Sequence, residues 1–223
     1  MIAIVVVAVV LVVLALAASV SAPLSPRTLV GSGHFVTNEE NFTGFTAVTV
    51  ASGFRFTITQ SSSYSVKVTI DDNLVSYVQV SKSGNTLSVG LPTEGYSFQS
   101  VLQSVEITMP DITQLDISGG TSGTVTGFAL SHDFTVTASG GSRVSMSGAA
   151  RDLSIEASGG GRLDLSGLSV TNAQVDLNGG SQATINLNGR LDATLSGGSQ
   201  LYYIGNPTLG NINTSGGSII SKR

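Results

Sequence analysis

Apolar and polar residues alternate along most of the chain after residue 41, in short runs separated by breaks rich in Gly, Ser, Asn and Asp. Alternation with a period of two is typical of β-strands that bury one face. Ahead of Pro110 it predicts strands over residues 45–50, 54–59, 64–70, 74–80, 85–91 and 101–109. No segment after residue 22 keeps a helical period, so the sequence predicts an all-β domain.

Beyond Pro110 the alternation is organised around a repeated Gly-Gly doublet. The doublets lie at 119/120, 140/141, 159/160, 179/180, 197/198 and 216/217, and subtraction of their first positions gives spacings of 21, 19, 20, 18 and 19 residues. Four residues before each doublet the side chain is apolar, three before it is polar, and two before it is mostly apolar again. A period of about 20 residues is typical of coiled β-structure rather than of helical hairpins.

The repeat predicts a parallel β-helix, a single-stranded solenoid whose coils begin near residue 111 within a β domain that covers residues 42–220. Each coil would supply two or three short strands, and each strand would pair in parallel with its counterpart about 4.8 Å away in the next coil. The glycine doublets would supply the positive φ angles of the bends.

The N-terminus is a distinct segment, because residues 2–18 are apolar without interruption. This length lies at the lower bound for a bilayer span, about 17 residues. A secretory signal usually has basic residues ahead of a shorter apolar core, whereas the first basic side chain here is Arg27. We therefore predict an N-terminal hydrophobic helix within residues 1–22, either a transmembrane anchor or a cleaved signal peptide, followed by an exposed linker over residues 23–41. As an anchor it would contact the membrane through residues 2–20, and in both cases the β domain would lie outside the cytoplasm.

Composition excludes several classes of function. The chain has a formal net charge of −4, only 11% charged residues and no cysteine. A nucleic acid partner would require a basic surface, and the absence of cysteine excludes disulfides, thiolate metal sites and a cysteine nucleophile. The two histidines, His34 and His132, are isolated from each other in the sequence. We therefore predict no catalytic residue, no metal site and no cofactor.

Five charged residues of the repeat are candidates for surface binding. Arg143 and Arg162 share one position in adjacent coils, three residues after the first glycine of a doublet. Glu156 and Asp176 are also equivalent to each other, and Asp164 lies in the same coil as Glu156. Both arginines could line a shallow groove with Glu156 and Asp164. Alternatively, the carboxylates of neighbouring coils, Glu156 and Asp176, could lie close enough together to bind a cation. A solvated strand face explains the same residues without any ligand.

Several segments together resemble a known family. Residues 42–50, 52–59, 66–74 and 84–89 resemble, in order and spacing, the opening of the auto-transporter adhesin head domain, also called the head GIN domain. The glycine coils around residues 116–120 and 157–161 resemble its second half, so the resemblance covers residues 42–220. It implies a right-handed parallel β-helix outside the cytoplasm, often tethered to a membrane, and it brings no established catalytic residues. Many bacterial members carry a lipid-attachment cysteine, and its absence here favours the apolar helix as the tether.

These observations predict an extracytoplasmic, membrane-tethered β-helix module without enzymatic activity, which binds or adheres to glycans or cell-envelope polymers. One alternative is a structural scaffold that self-associates through exposed β-helix ends. Another is a polysaccharide lyase or hydrolase that would use the charged residues of the predicted groove.

Overall fold

The computed structural model describes residues 26–99 and 101–223. The predicted N-terminal helix, residues 1–22, lies outside the described residues, and among the described ones no helix has the length and apolar character needed to cross a membrane. The described chain is built of β-strands with a 3₁₀ turn at Asp72–Tyr77. The strands are β1 (Arg27–Val30), β2 (Phe35–Glu40), β3 (Ala47–Val50), β4 (Arg55–Gln60), β5 (Ser65–Asp71), β6 (Gln79–Ser83), β7 (Thr86–Gly90), β8 (Tyr96–Gln99), β9 (Gln103–Met109), β10 (Gln114–Ile117), β11 (Ser122–Ala129), β12 (Phe134–Ala138), β13 (Arg143–Ala149), β14 (Asp152–Ala157), β15 (Arg162–Val170), β16 (Asn172–Leu177), β17 (Gln182–Leu187), β18 (Arg190–Leu195), β19 (Gln200–Ile204), β20 (Thr208–Thr214) and β21 (Ile219–Lys222).

Two long sheets contain almost all of these strands. A nine-stranded sheet has the order β20-β18-β16-β14-β12-β10-β3-β7-β6, and a ten-stranded sheet has the order β2-β5-β9-β4-β11-β13-β15-β17-β19-β21. From β10 onward each repeat contributes one strand to each sheet, and each strand pairs in parallel with its counterpart in the next repeat. Leu115, Val136, Ile155 and Val175, which share the apolar position four residues before a doublet, are successive Cα partners.

Alternate side chains of both sheets pack into one apolar core. Val136 and Ala138 of β12 are buried, as are Leu163 and Leu165 of β15, while Asp164 between them is exposed. Full burial of one such aliphatic side chain stabilises the fold by about 1.5–3 kcal/mol for the larger residues. The apolar positions of the repeat therefore form the core from coil to coil, and the intervening polar positions form the outer faces.

The glycine doublets form the bends between the sheets. All of their glycines have positive φ, between 62° and 83°. The first glycine of each doublet also packs closely on the neighbouring coil, since a Cβ on Gly140 would lie 3.1 Å from the backbone nitrogen of Gly119. Ser52 and Gly53 have the same conformation, with φ of 61° and 77°. The bend between β3 and β4 therefore belongs to the same series, although its first residue is not glycine.

A column of buried hydroxyl groups follows the doublets. Thr121, Ser142, Ser181 and Ser199 are fully buried. Each hydroxyl donates to the carbonyl oxygen three residues earlier, at 2.6 or 2.7 Å. These bonds close the bends across the doublets. In the coil between Ser142 and Ser181 the same position is occupied by Gly161.

Gly161→Ser should therefore stabilise the domain. A Cβ at this position would meet neighbours at 3.4 Å or more, an ordinary van der Waals distance, and the new hydroxyl could donate to the Ser158 carbonyl oxygen. A reduced entropy of the unfolded chain and one added hydrogen bond together give about 1 kcal/mol, or a rise in melting temperature of about 2–4 °C. Ser142→Ala removes the corresponding hydroxyl and its hydrogen bond to the Ser139 carbonyl oxygen, and it should lower the melting temperature by a similar amount. A fall in melting temperature for Gly161→Ser would contradict this role of the column.

One predicted strand is wrong at its start. The prediction placed a strand over residues 74–80, whereas the structure has the 3₁₀ turn over Asp72–Tyr77 and then β6, Gln79–Ser83. Leu74, Val75 and Val78 are spaced as on one turn of a helix, whereas Leu74, Val78 and Val80 are separated by even numbers of residues, as on one face of a strand. Periodicity therefore does not distinguish the two for so short a segment. Only Leu74 of the turn is fully buried.

Two strands lie inside residues 23–41, the range predicted as a linker. β1 pairs in parallel with β8, and β2 pairs antiparallel with β5. Their side chains are mostly exposed, which is why no alternating pattern marks them in the sequence. Backbone pairing, rather than burial of side chains, fixes this part of the chain to the domain.

Asp71 anchors the loop between β1 and β2. Its carboxylate is fully buried and accepts hydrogen bonds from the backbone N–H groups of Gly33, at 2.7 Å, and Leu102, at 3.1 Å. The neighbouring Asp72 accepts a hydrogen bond of 2.6 Å from the Ser32 hydroxyl, and this bond lowers the pKa of Asp72. The loop therefore depends on a buried carboxylate that lies far from it in the sequence.

Candidate functional site

The outer face of the ten-stranded sheet carries a column of polar side chains, most of them long. We call it the arginine–glutamine column. Its members occupy one register position on successive strands, from β4 to β19. They are Arg55, Ser122, Arg143, Arg162, Gln182 and Gln200.

Side-chain hydrogen bonds connect one half of the column. Arg162 donates from Nε to Oε1 of Gln182 at 2.8 Å, and its Nη2 donates to the same oxygen. Gln182 in turn donates from Nε2 to Oε1 of Gln200 at 2.9 Å, and the Tyr202 hydroxyl donates to that oxygen at 3.0 Å. The guanidinium carbon of Arg223 lies 4.0 Å from the centre of the Tyr202 ring. This chain of contacts restricts the rotamers of Arg162 and both glutamines.

Shallow depressions lie over the column. One, of about 280 Å³, is lined by Arg143, Arg162, Gln182 and Gln200, and by glycines of the adjacent bends. Another, of about 490 Å³, extends from Arg55 past Arg143 and Arg162 to Asp164. Arg143 and Arg162 line both depressions. The two depressions therefore form one open groove, which we call the arginine groove. The bend glycines widen it because they carry no side chains.

The arginine groove has a net positive charge, because its arginines outnumber its one carboxylate, Asp164. Within the described residues neither Arg55 nor Arg143 has a carboxylate within 4.0 Å, and the acceptor of Arg162 is a neutral amide. Asp164, at the border of the groove, accepts hydrogen bonds from the backbone and hydroxyl of Ser166. A chain with a net charge of −4 thus keeps a local cluster of cations on one sheet.

The arginines near the nine-stranded sheet, in contrast, have carboxylate partners. Arg151 lies 2.8 Å from Asp133, and Arg190 lies 2.7 Å from Asp192. The hydrogen bond from its arginine lowers the pKa of each aspartate. Arginines on this side of the molecule are therefore neutralised by partners of the same chain.

The structure brings together some of the predicted site residues and separates others. Arg143 and Arg162 are Cα partners, and Asp164 lies on the same strand as Arg162. Glu156 and Asp176 are also Cα partners, but on β14 and β16 of the nine-stranded sheet. Glu156 therefore does not line the depressions that contain the arginines, in contrast to the predicted shared groove. Among the described residues no three His, Asp or Glu side chains are arranged to hold a metal ion.

Four members of the column were not predicted as site residues. Three of them lie three residues after the first glycine of their doublets, the position that identified Arg143 and Arg162; these are Ser122, Gln182 and Gln200. The same position in every repeat, three residues after the first glycine, would have identified them from the sequence. Arg55 lies three residues after Ser52, so it becomes recognisable only once the Ser52-Gly53 bend is known to replace a doublet.

His132 forms a separate polar contact at the edge of the domain. Its Nε2 lies 2.8 Å from Oδ1 of Asp111, and its Nδ1 lies 2.8 Å from the Asp133 carbonyl oxygen. Both contacts favour the protonated ring, and the backbone carbonyl of Asp133 is the larger cause of the raised pKa of His132.

The raised pKa predicts a pH-dependent contribution of His132 to stability. A group whose pKa is higher in the folded state stabilises the fold below its unfolded value, about 6.5, and this contribution is lost as the pH rises through the folded pKa. The difference in free energy of unfolding between the wild type and His132→Gln should therefore be larger at about pH 5.5 than at about pH 8.5. Urea titrations at both pH values measure it, and an equal difference at the two would contradict the contact.

Comparison with known proteins gives a family and a fold. The sequence family described as "Putative auto-transporter adhesin, head GIN domain" matches residues 44–207. A comparison with the curated proteins found no significant match.

Solved structures of similar fold come from Bacteroides and Parabacteroides species. A putative adhesin from Bacteroides fragilis has a TM-score of 0.71 and 17% sequence identity, and the alignment covers 87% of this chain and 100% of that one. A putative adhesin from Parabacteroides distasonis has a TM-score of 0.64 and 14% identity, over 88% and 100% of the two chains. A putative lipid binding protein from the same species has a TM-score of 0.58 and 16% identity, again over 88% and 100%. At these identities the likeness concerns the fold.

Proposed function

Because the chain belongs to the auto-transporter adhesin head GIN domain family, we propose that it is an extracytoplasmic, membrane-tethered adhesion module that binds glycans or cell-envelope polymers. Its repeats would wind as a right-handed parallel β-helix, and the arginine groove would be the binding surface. The proposal includes no catalytic step.

The observation that carries the proposal is the arginine–glutamine column itself. Sites for small molecules are concave and bury most of their ligand, whereas this groove is shallow and open along the stacked strands. Its polar groups recur at the interstrand spacing of about 4.8 Å. A surface of this kind fits an extended polymer whose own groups recur along its length.

The connection between the proposed anchor and β1 is short. An anchor over residues 2–20 ends six residues before β1 begins at Arg27. The six intervening residues, 21–26, span at most about 22 Å when fully extended. A chain anchored through residues 2–20 would therefore hold the β domain close to the outer surface of the membrane.

The proposal is tested by an unbiased binding screen. The full chain, held in lipid nanodiscs, is applied to an array of glycans and cell-envelope fractions. We expect retention on at least one polymer, with competition by the same polymer in solution. Empty nanodiscs and heat-unfolded chain serve as controls. No retention above that of the empty nanodiscs on any spot would contradict the proposal.

A second candidate function is a scaffold that assembles through its C-terminal end. β20 and β21 are edge strands of the two long sheets, and they expose Leu209 and Ile219 at 49% and 53%. Lys222 donates from Nζ to the Asn206 side chain, which places a charged residue at this edge and opposes strand addition. Size-exclusion chromatography of the chain in detergent at rising concentration distinguishes the two functions, because a scaffold would form larger species and an adhesion module need not.

A further inference from the structure

Arg143 and Arg162 lie side by side without an anionic partner. They are direct Cα partners on adjacent strands, and like charges in that position destabilise a sheet. Elsewhere in the described residues Arg151 and Arg190 each lie beside an aspartate. An anion bound between Arg143 and Arg162 would remove their repulsion, so the arrangement favours a ligand with negative charges.

The contacts of Arg162 prepare it for such a ligand. Nε and one terminal nitrogen donate to Gln182, which leaves N–H groups of the second terminal nitrogen free to donate outward. A guanidinium fork can hold a carboxylate through two parallel hydrogen bonds. Because Gln182 is itself fixed by Gln200, less side-chain entropy is lost when the ligand binds.

The extent of the column sets the size of the ligand. From Arg55 to Gln200 it crosses the strands β4, β11, β13, β15, β17 and β19 in order. With about 4.8 Å between strands, this is a length of about 24 Å. The cations occupy one end of it, and amide groups suited to hydroxyl ligands occupy the other. The ligand is thus extended, and it carries both anionic groups and neutral hydroxyl groups.

The charge around the groove favours an acidic polysaccharide over a polyphosphate as the ligand. Binding to a densely charged phosphate backbone relies on many cations and is favoured by a basic protein. Here the chain has a net charge of −4, and Asp164 borders the groove. Spaced carboxylates between sugar hydroxyls match this mixture better than continuous phosphates do.

We infer that the arginine groove binds an acidic polysaccharide whose carboxylates pair with Arg143 and Arg162, while its hydroxyl groups contact Gln182 and Gln200. This inference rests on the proposed function and specifies its ligand class.

The test measures the affinity of the full chain in nanodiscs for polygalacturonate, with neutral dextran as the comparison polymer. The double variant Arg143→Gln/Arg162→Gln should lose about tenfold or more in affinity for polygalacturonate, because charge-assisted hydrogen bonds are lost. The matched control is Arg151→Gln/Arg190→Gln, which changes the net charge equally but on arginines that already have partners. We expect the control to stay within about twofold of the wild type. Since Arg143 and Arg162 are exposed, a melting curve verifies that the double variant folds.

Three results of the affinity measurements would overturn the inference. These are equal losses for the double variant and its control, equal affinity of the wild type for dextran and polygalacturonate, and tighter binding of polyphosphate than of polygalacturonate. Retention of a neutral glycan alone on the array would overturn the inference but leave the proposed function intact. No retention of any polymer would overturn both.

Discussion

Gly148→Ala is expected to destabilise the domain by about 3–5 kcal/mol. Gly148 has a φ of 138°, which side chains rarely adopt, and a Cβ there would lie 2.0 Å from the carbonyl oxygen of Phe128 on the paired strand. That oxygen belongs to the backbone of a central strand, so it cannot move aside as a flexible side chain would. The strands β11 and β13 would have to separate locally. Urea unfolding followed by circular dichroism measures the effect.

Gly141→Ala is the control for this prediction. Gly141 lies in the same coil and also has positive φ, 77°, but a Cβ there would meet no atom within 4 Å. The control should therefore show only the conformational cost, about 1–2 kcal/mol. If both variants lost the same stability, the close approach at Phe128 would have no energetic consequence and the prediction would be wrong.

Asp71→Ala is expected to release the first two strands and to lower stability by about 2–5 kcal/mol. The change leaves the backbone N–H groups of Gly33 and Leu102 without their acceptor, and a hydrogen bond to a charged group contributes about 1.5–3 kcal/mol. We expect the amide protons of β1 and β2 to exchange with solvent much faster than in the wild type, while those of β14 and β16 change little. Hydrogen exchange followed by mass spectrometry measures both regions.

Asp72→Ala provides the comparison for Asp71. The side chain of Asp72 is exposed and bonds to Ser32, so its loss should leave the exchange of β1 and β2 nearly unchanged. Equal protection of β1 and β2 in the wild type and in Asp71→Ala would contradict the anchoring role of the buried carboxylate.

The sequence repeat predicts the C-terminal part of the fold well, because its information is local. Each coil contains its own apolar positions and its own glycine bend, and neighbouring coils pair at equivalent positions such as Ile155 and Val175. The N-terminal part depends on distant contacts instead. Asp71 holds Gly33 across 38 residues and Leu102 across 31, and no local pattern marks such pairs.

The order of the strands that precede the glycine repeat is likewise not predicted by any local pattern. β3 and β4 precede β7 and β9 in the chain, yet they lie between these strands and the glycine repeat in both sheets. Alternation predicts that such segments are strands, but it does not predict which strands become neighbours. Pairing in this region follows from how the complete set of apolar faces packs into one core.

Prediction of the candidate site was limited by the assignment of strands to sheets. Arg143 and Arg162 are expected from the sequence to share a shallow groove with Asp164 and Glu156. Glu156 and Arg162 lie on opposite sides of the Gly159-Gly160 bend. The bend between them sends β14 and β15 to different sheets, so their outward side chains lie on different faces. Positions that repeat from coil to coil, such as those of Arg162 and Gln182, are better guides to a common surface than residues that are close within one coil.

The family resemblance is confirmed by the match over residues 44–207, and the structure adds the surface through which an adhesion module would act. The glycine bends beside the ten-stranded sheet carry no side chains and leave the groove open, and the parallel register places Arg143, Arg162, Gln182 and Gln200 along it. We propose that this surface, displayed outside the cell, holds acidic polysaccharides.

Adhesion of intact cells tests that claim most directly. Cells that produce the full chain are passed over immobilised polygalacturonate under flow, beside cells that produce the Arg143→Gln/Arg162→Gln variant and cells without the chain. We expect the wild-type chain to retain cells and the variant to retain far fewer, with equal amounts of both proteins verified by antibody labelling of unbroken cells. Retention of wild-type cells no greater than that of cells without the chain, at verified surface exposure, would contradict the account.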